Sequence, residues 1–252
     1  MYDYWLDGKD NYEADVKAAD QASKLNPYAK DCARANRAFI KRVVEYLARQ
    51  GISQFLDIGT GFPSQGNVHE VAQEFNPEAR TLYVDNDPVV VTHGRALLAT
   101  DPRTKMLPID LRDPDFLFWC GACEADAFSV LDFTRPVGVL AVAVLHFIPP
   151  DDNPHGIVAS LMEAMAPGSY LVLTHVLEAP RTIRAIKAYE NASAPTVLRT
   201  EKEINRFFTD AHLSLIDPGV VRVPLWQPDY IDPFAVAEAD HIDFLAGVAT
   251  KS

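Results

Sequence analysis

The chain has 252 residues, 48% of them hydrophobic, and its 35 acidic residues against 23 basic ones give a formal charge of −12. This is enough apolar material for one sizeable core, which excludes a disordered chain. A negative field repels phosphate backbones and anionic lipid heads, and no basic cluster interrupts it. Neither nucleic acid nor a membrane surface is therefore expected as a partner.

The ends and apolar runs of the sequence predict a cytoplasmic protein. The longest apolar run, residues 137–148, is shorter than the ~20 residues that cross a bilayer. Asp3, Asp7 and Asp10 stand where a signal peptide would be basic and then apolar. Three cysteines are too few for a disulfide framework in a chain of this length.

Cys120 and Cys123 have the C-x-x-C spacing of redox and zinc sites. A zinc site needs two further ligands, and no second C-x-x-C or H-x-x-x-H motif supplies them. The pair also follows the end of an apparent short helix, whereas a redox pair would open a helix after a strand. We therefore interpret these cysteines as structural and predict no metal site.

Strand-like and helix-like segments alternate along the chain, which is typical of a parallel sheet with helices on both faces. After a polar opening segment, residues 1–27, a helix carries apolar residues from Phe39 to Leu47 and ends at Gly51. Pro108 indicates an edge position for the third strand, and the fourth is apolar enough to be buried on both faces. Five strands are predicted, at residues 55–59, 81–85, 105–110, 137–147 and 170–175.

Between and after these strands, apolar residues recur at helical spacing. The helices so predicted lie around residues 68–75, 89–99, 157–165 and 183–189. A capping box, Thr200 to Glu203, opens a further helix through Phe207 and Phe208. Residues 213–226 contain two short β-like runs around Asp217-Pro-Gly219, which predicts an antiparallel hairpin at the sheet edge.

An acidic residue and a glycine turn follow the first strand, at the edge where open α/β sheets bind ligands. The turn is Gly59-Thr60-Gly61, and its glycines allow the backbone to approach a ligand closely. The third glycine of the phosphate-binding fingerprint is missing, because position 64 is Ser. The charge of Asp57, just before the turn, suits an ammonium group better than a pyrophosphate.

The second and third strands also end in aspartates. Asp85 is placed to accept hydrogen bonds from two ribose hydroxyls, and Asp110 to accept one from an exocyclic amine, with Leu111 beside the ring. Asp87, followed by Pro88, is interpreted as a helix cap. Any one aspartate could be such a cap, but together the three that end strands favour a ligand site.

These motifs resemble those of class I S-adenosylmethionine-dependent methyltransferases. The resemblance rests on Asp57-Ile-Gly-Thr-Gly61, Asp85, Asp110 and the turn that begins Ala166-Pro-Gly. Stretches 2–12, 83–88, 144–147 and 199–204 more closely resemble an actinobacterial group of S-adenosyl methyltransferases without an assigned substrate. The resemblance implies a Rossmann-like α/β fold whose sheet has seven mostly parallel strands, with an antiparallel C-terminal strand and helices on both faces. We expect one domain, with a lid and helical segment (1–50), a core (51–226) and a tail (227–252).

The resemblance also implies S-adenosylmethionine as cofactor and assigns residues to it. Asp57 and the Gly59-Thr60-Gly61 turn would hold the methionine portion, and Asp85 the ribose. The residues implied for the adenine are Asn86, Asp110 and Leu111. The opening segment is expected to fold over the cofactor as a lid, through Gly8, Lys9, Asn11 and Tyr12.

His146, at the end of the fourth strand, is the candidate general base, although a histidine in that position is more often structural. His175 ends the fifth strand similarly. The Asn/Asp-Pro-Pro-Tyr/Phe motif of N-methyltransferases is absent, which together with the negative charge favours a small-molecule acceptor. The aromatic residues that could line its pocket, although ordinary packing is favoured for each, are Tyr4, Trp5, Tyr12, Phe147 and Trp226.

Two alternatives stay open at this point. A domain that binds the cofactor without catalysis, as a sensor or partner subunit, would carry the same binding motifs. A nicotinamide-dependent oxidoreductase would share the sheet, but the missing third glycine and the charge of Asp57 count against it.

Overall fold

The centre of the fold is one mixed β-sheet. The structure is a computed structural model that describes residues 1–9, 11–63, 66–113, 130–186, 196–227 and 237–252. The strands are β1 (Gln54–Ile58), β2 (Arg80–Asp85), β3 (Thr104–Pro108), β4 (Gly138–Val142), β5 (Tyr170–Val176), β6 (Ser214–Leu215), β7 (Val221–Arg222) and β8 (Phe244–Thr250). Their order is β3-β2-β1-β4-β5-β8-β6, with β7 also paired to β8. Strands β1 to β5 are parallel, and β8 is antiparallel to β5.

The eight strands occupy seven positions in the sheet. Leu215 pairs with Ala249 and Val221 with Ala246, so β6 and β7 follow one another along the same side of β8. Together they form a single interrupted edge strand. The predicted hairpin is therefore wrong, because its two runs pair with β8 and not with each other. The Rossmann-like fold, with its mostly parallel sheet and antiparallel C-terminal strand, is confirmed.

Strand β8 lies within residues 227–252, which were expected to be a tail. It pairs with β5 along its whole length and is buried over five consecutive residues. The small residues of β8 weaken its strand signal in the sequence, but close packing against Phe208 requires a glycine at position 247. A Cβ on Gly247 would lie 2.6 Å from Cζ of Phe208.

Helices cover both faces of the sheet, as predicted. They are α1 (Tyr2–Trp5), α2 (Glu13–Leu25), α3 (Ala29–Arg49), α4 (Val68–Phe75), α5 (Pro88–Leu97), α6 (Pro154–Glu163), α7 (Pro180–Ala185) and α8 (Glu201–Thr209). One apolar cluster joins α3, α4 and α5 to Leu140 and Val172 of the sheet. The other joins α6 and α8 to Val139 and Leu171, the neighbours that point the opposite way.

The predicted caps are also confirmed. Asp87 accepts a hydrogen bond from the backbone N of Val89, 2.8 Å away, at the start of α5. Thr200 and Glu203 form the capping box of α8. The edge position indicated by Pro108 is that of β3. The predicted helix at 183–189 corresponds to α7, as far as the chain is described. Cys120 and Cys123 lie outside the described residues.

The fourth strand is shorter than predicted. It ends at Val142, and Ala143 then adopts a left-handed backbone conformation with φ of 56°. The chain continues into a 3₁₀ turn, Leu145–Phe147. Apolar composition alone did not show this end, because the turn is as hydrophobic as the strand. His146 consequently lies on a turn beyond the strand.

The opening segment forms helices that pack alongside the sheet. Trp5 of α1, Ala19 and Ala22 of α2, and Ala29 and Ala33 of α3 form a small apolar cluster. Helix α2 also packs against α7. Across the described ranges of the chain, no helix is both long enough and apolar enough to span a bilayer.

Candidate functional site

A cavity of about 810 Å³ opens at the carboxyl ends of the parallel strands, within the range of ~300–1,000 Å³ typical of ligand pockets. We call the part of the cavity at the carboxyl ends of β1, β2 and β3 the β1–β3 half. Its lining includes Gly59, Thr60, Gly61, Asp85, Asn86, Asp110 and Leu111. The β4–β8 half is lined by residues that include Val144, His146, Phe147, Val176, Thr196 and Phe244. Phe244 belongs here because it pairs with Val176 at the same edge of the sheet.

The glycine turn after β1 forms the floor of the β1–β3 half. Gly59 and Gly61 both have φ of 67°, a conformation that favours glycine. A Cβ on Gly59 would lie 2.5 Å from Cγ2 of Val144, whereas one on Gly61 would meet no atom within 4 Å. Gly59 therefore permits close contact between the two halves. Gly61 leaves backbone open towards the cavity.

Asp85 lies beside this turn with acceptor capacity to spare. Its Oδ2 accepts from the backbone N of Gly61 and its Oδ1 from the backbone N of Asp87, both at 2.9 Å. Each carboxylate oxygen can accept a further hydrogen bond. Burial raises the pKa of this carboxyl. The arrangement suits a ligand that donates two neighbouring hydroxyl groups.

Asp57 lies at the end of β1, beneath the turn, with 8% of its surface exposed. Burial raises its pKa to about 7, the nearby charge of Arg37 opposes this shift, and Asp85 adds to it. Arg37, on α3, lines the cavity. Arg37 is not among the predicted site residues, because the sequence around it indicates only a polar position on a helix. Asp57 itself lies outside the cavity lining, directly before Ile58 and Gly59, which do line it.

Asp110 is already engaged by its neighbours. Its Oδ1 accepts from Nε and the backbone N of Arg112, each at 2.9 Å, and its Oδ2 accepts from Nδ2 of Asn86 at 3.2 Å. The bond to the Arg112 side chain is the main cause that lowers its pKa to about 2. A ligand amine would therefore compete with Arg112, whose side chain is 48% exposed.

His146 is buried in the wall of the β4–β8 half. Its ring lies 4.3 Å from that of Phe147 and 6.0 Å from that of Phe244, measured between ring centroids. Burial, and next the charge of Arg199, lower its pKa to about 3. The imidazole is therefore neutral in the physiological range. His175, by contrast, is completely buried behind His146.

Three buried polar atoms of cavity-lining residues have no hydrogen-bond partner within the described chain. They are Oδ1 of Asn36, Nδ1 of His146 and Oγ1 of Thr196. An unpaired buried polar atom costs about 1–3 kcal/mol. Such atoms favour a cavity whose ligand supplies the missing partners. No group of three or more His, Cys, Asp or Glu residues with metal-ligand geometry occurs in the described ranges.

The predicted lid residues Gly8, Lys9, Asn11 and Tyr12 lie outside the cavity lining of the described structure. Asn11 Nδ2 donates to Oδ2 of Asp3 at 2.9 Å, and a Cβ on Gly8 would overlap that carboxylate. Tyr12 is 63% exposed at the start of α2. Tyr2 and Trp5 of the same segment do line the cavity. The lid role of the four residues stays a prediction.

The predicted aromatic lining is only partly brought together. Trp5 and Phe147 face the cavity, whereas Tyr4 donates a hydrogen bond to Asp20 on α2. Trp226 is fully buried, with its ring edge-on to those of Phe39 and Tyr46 in the core.

Comparison with known proteins identifies the family. A family model described as S-adenosyl methyltransferase matches residues 1–252. A "putative methyltransferase" from Thermobifida fusca YX is 42% identical, with a TM-score of 0.89 over 100% of this chain and 93% of its own. A DUF574 family protein from Streptomyces avermitilis MA-4680 is 37% identical, with a TM-score of 0.90 over 100% of this chain and 95% of its own.

No protein of curated function matches the chain. The match over the full length nevertheless makes S-adenosylmethionine the cofactor and methyl transfer the reaction. It removes the support for a nicotinamide-dependent or non-catalytic role. The chain belongs to the S-adenosyl methyltransferase family.

Proposed function

We propose that the chain methylates a small molecule bound in the β4–β8 half of the cavity. The observation that supports this proposal is that two packed helices flank that half of the cavity. Helix α2 packs against α7, and both contribute lining residues, among them Ala22, Thr182 and Ala185. The cavity of about 810 Å³ has the size of a small-molecule site.

The β1–β3 half fits S-adenosylmethionine, which when bound supplies an electrophilic methyl group on a positively charged sulfur. Asp57 and Arg37 would hold the ammonium and carboxylate of its amino-acid end, across the backbone of Gly59-Thr60-Gly61. Asp85 would accept from both ribose hydroxyls, since each of its oxygens has one acceptor position left. The residues proposed for the adenine are Asn86, Asp110 and Leu111.

The β4–β8 half would orient the acceptor and exclude water, which are the main contributions that a protein makes to methyl transfer. His146 is neutral, so a ring nitrogen can accept a proton. A histidine with so low a pKa is a weak base and would not ionise a hydroxyl beforehand. An oxygen or nitrogen that is being methylated becomes far more acidic, so His146 would take its proton during transfer.

The remaining proposals concern the whole chain. The charge of −12 supports a cytoplasmic enzyme that acts neither on nucleic acid nor at a membrane surface. We propose that residues 1–252 form one domain and that residues 8–12 close over the cofactor as a lid. The place of α1 against α3 supports this, because the bond from Tyr2 Oη to the carbonyl of Ala33 fastens the lid's base.

Cofactor binding is tested by isothermal titration with S-adenosylmethionine and S-adenosylhomocysteine, with NADH as the negative ligand. Asp85→Ala should weaken both sulfur ligands by about tenfold or more, because it removes charge-assisted hydrogen bonds worth ~1.5–3 kcal/mol. Asp101→Ala is the matched control, since Asp101 also accepts from a backbone N two residues on, at 2.8 Å, but lies outside the lining. Equal loss in both variants would contradict the assignment.

The acceptor class is tested with cofactor labelled in its methyl group. A cell extract is separated by ultrafiltration into small molecules and macromolecules, and each fraction is offered to the enzyme. Label should enter the small-molecule fraction, and His146→Asn should reduce that incorporation by ~10²-fold or more without changing affinity for S-adenosylhomocysteine. Label confined to protein or nucleic acid would overturn the proposal.

A further inference from the structure

Arg199 is a buried cation in the wall behind the β4–β8 half. It lies in the stretch 199–204, just before α8, and is 4% exposed. Its Nη1 donates to the carbonyl of Leu145 at 2.9 Å, and its Nη2 to the carbonyl of Ile148 at 2.8 Å. One guanidinium therefore holds both ends of the 3₁₀ turn that carries His146.

This turn needs an external support. Ala143, two residues before it, has φ of 56°, a backbone conformation that side-chain-bearing residues rarely adopt. A second bond comes from the same supporting segment, because the backbone N of Val197 donates to the carbonyl of His146 at 2.7 Å. Residues 197–199 thus act as a template for the turn.

Arg199 also fixes the neighbouring histidine. Its Nη1 lies 2.7 Å from Nε2 of His175, and His175 Nδ1 lies 2.8 Å from the carbonyl of Val176. A guanidinium can only donate and a carbonyl can only accept. His175 must therefore be neutral, with its proton on Nδ1. Its ring stands edge-on to that of His146, with 5.6 Å between centroids.

The charge of Arg199 acts directly on His146. No carboxylate of the described residues forms an ion pair with Arg199, and the nearest acidic influence on it is that of Glu203, which is largely exposed. Arg199 is the charged group that lowers the pKa of His146, and the ring of His175 stands edge-on to that of His146. Burial acts in the same direction and is the larger cause.

We infer that Arg199 is a positioning residue, which fixes the turn that presents His146 to the acceptor and fixes the tautomer of the neighbouring His175. The inference rests on the proposed role of His146. It assigns to one side chain two actions. Two donors of the fork order the turn, and the contact with Nε2 of His175 fixes that ring with its proton on Nδ1.

Two substitutions test these actions. Arg199→Lys keeps the charge but cannot donate to Leu145, Ile148 and His175 at once with a planar fork. Arg199→Met removes both the charge and the fork. Arg42→Met is the matched control, because Arg42 is also buried and donates to two carbonyls, of Val223 at 2.8 Å and of Trp226 at 3.3 Å, away from the cavity.

The measurement is imidazole NMR across pH 5 to 8, with His146→Asn to assign the His146 signals. In wild type and in Arg199→Lys, His146 should stay neutral throughout. In Arg199→Met its pKa should rise only in part, because burial, the larger cause of the shift, remains. Amide exchange at residues 145–148 should accelerate in both Arg199 variants and stay unchanged in Arg42→Met. His175 should keep a single Nδ1–H tautomer in wild type and lose it in Arg199→Met.

Cofactor affinity distinguishes this inference from the proposed function. Binding of S-adenosylhomocysteine should stay within about twofold of wild type in all three arginine variants, because none of these residues lies in the β1–β3 half. The inference is overturned if Arg199→Met leaves the turn exchange and the His175 tautomer as in wild type, or if Arg42→Met changes them equally. Should Arg199→Met fail to fold, faster exchange at 145–148 in Arg199→Lys decides the matter.

Discussion

The two halves of the cavity are built in different ways. In the β1–β3 half, Asp85 and Asp110 each accept a hydrogen bond from the backbone two residues ahead, so the groups that face the ligand are set by local sequence. In the β4–β8 half, the position of His146 depends on Arg199, which bonds to Leu145 across 54 positions of the chain. The side chains of the first half are therefore positioned by residues close to them in sequence. Those of the second half are positioned by segments far apart in sequence.

The electrostatics of the halves differ in the same sense. The β1–β3 half presents Asp85 and an Asp110 that is paired with Arg112, together with Arg37. The β4–β8 half contains neutral histidines in front of a buried arginine. This contrast supports the proposed placement of the cofactor beside the aspartates and of the acceptor beside the histidines.

Gly59→Ala should have the largest effect, because it acts where the halves touch. The new Cβ would combine a left-handed conformation, costing ~1–2 kcal/mol, with overlap of Val144 at 2.5 Å, costing ~1–3 kcal/mol. We expect a loss of about 2–5 kcal/mol in the free energy of unfolding, measured with urea, together with loss of cofactor binding.

Gly51→Ala is the control for backbone strain alone, since Gly51 has φ of 88° but no atom lies within 4 Å of the position that its new methyl group would take. It should lose only about 1–2 kcal/mol. Equal losses in the two variants would mean that the contact between the halves at Gly59 and Val144 carries no energetic weight.

Asp57 provides a pH test confined to the β1–β3 half. If only its carboxylate holds the cofactor's ammonium, a folded pKa of about 7 means that affinity for S-adenosylhomocysteine should rise about tenfold between pH 6 and pH 8. Isothermal titration at each pH measures this change. Asp57→Asn should bind weakly and show a flat profile over the same range. A wild-type profile as flat as that of the variant would separate Asp57 from the ligand.

The same shift makes a prediction for stability. The Asp57 carboxyl has an ordinary pKa of 3.8 and a folded value of about 7, so the folded state binds its proton more tightly than the unfolded state. Its contribution is neutral below pH 4 and becomes unfavourable as pH rises from about 4 to about 7. Relative to wild type, Asp57→Asn should gain stability across that interval and show no further gain above it.

The difference between the halves also explains what the sequence could predict. Asp57, Asp85 and Asp110 are predicted from the sequence because a strand end followed by an acidic turn is a local pattern. In the sequence, Arg199 is noticed only because stretch 199–204 resembles the family. Nothing near it in sequence indicates that its partners are Leu145 and His175. Its role depends on tertiary contacts that no short pattern records.

Two other features of the fold escaped prediction for a related reason. Strand β8 has a weak strand signal in the sequence because it contains Gly247. The glycine is needed there to leave room for Phe208 of α8. The end of β4 was placed too late because the turn carrying His146 is as apolar as the strand before it. Hydrophobic pattern indicates burial, but it does not distinguish a buried strand from a buried turn.

Arg112→Ala should have the smallest effect. It tests whether the cofactor displaces the Arg112 side chain from Asp110 in the β1–β3 half. Half-exposed ion pairs contribute ~0–1 kcal/mol, so stability should hardly change, while the pKa of Asp110 should rise from about 2 towards its ordinary 3.8. Removing a competitor for that carboxylate should strengthen S-adenosylhomocysteine binding by up to about fivefold. Arg103→Ala is matched to it, because Arg103 pairs with Asp101, also two residues away, outside the cavity. Tighter binding in Arg112→Ala alone would show that the cofactor displaces Arg112 from Asp110. Weaker binding would instead show that Arg112 contacts the ligand directly. The β1–β3 half would then depend on an arginine, as the β4–β8 half depends on Arg199.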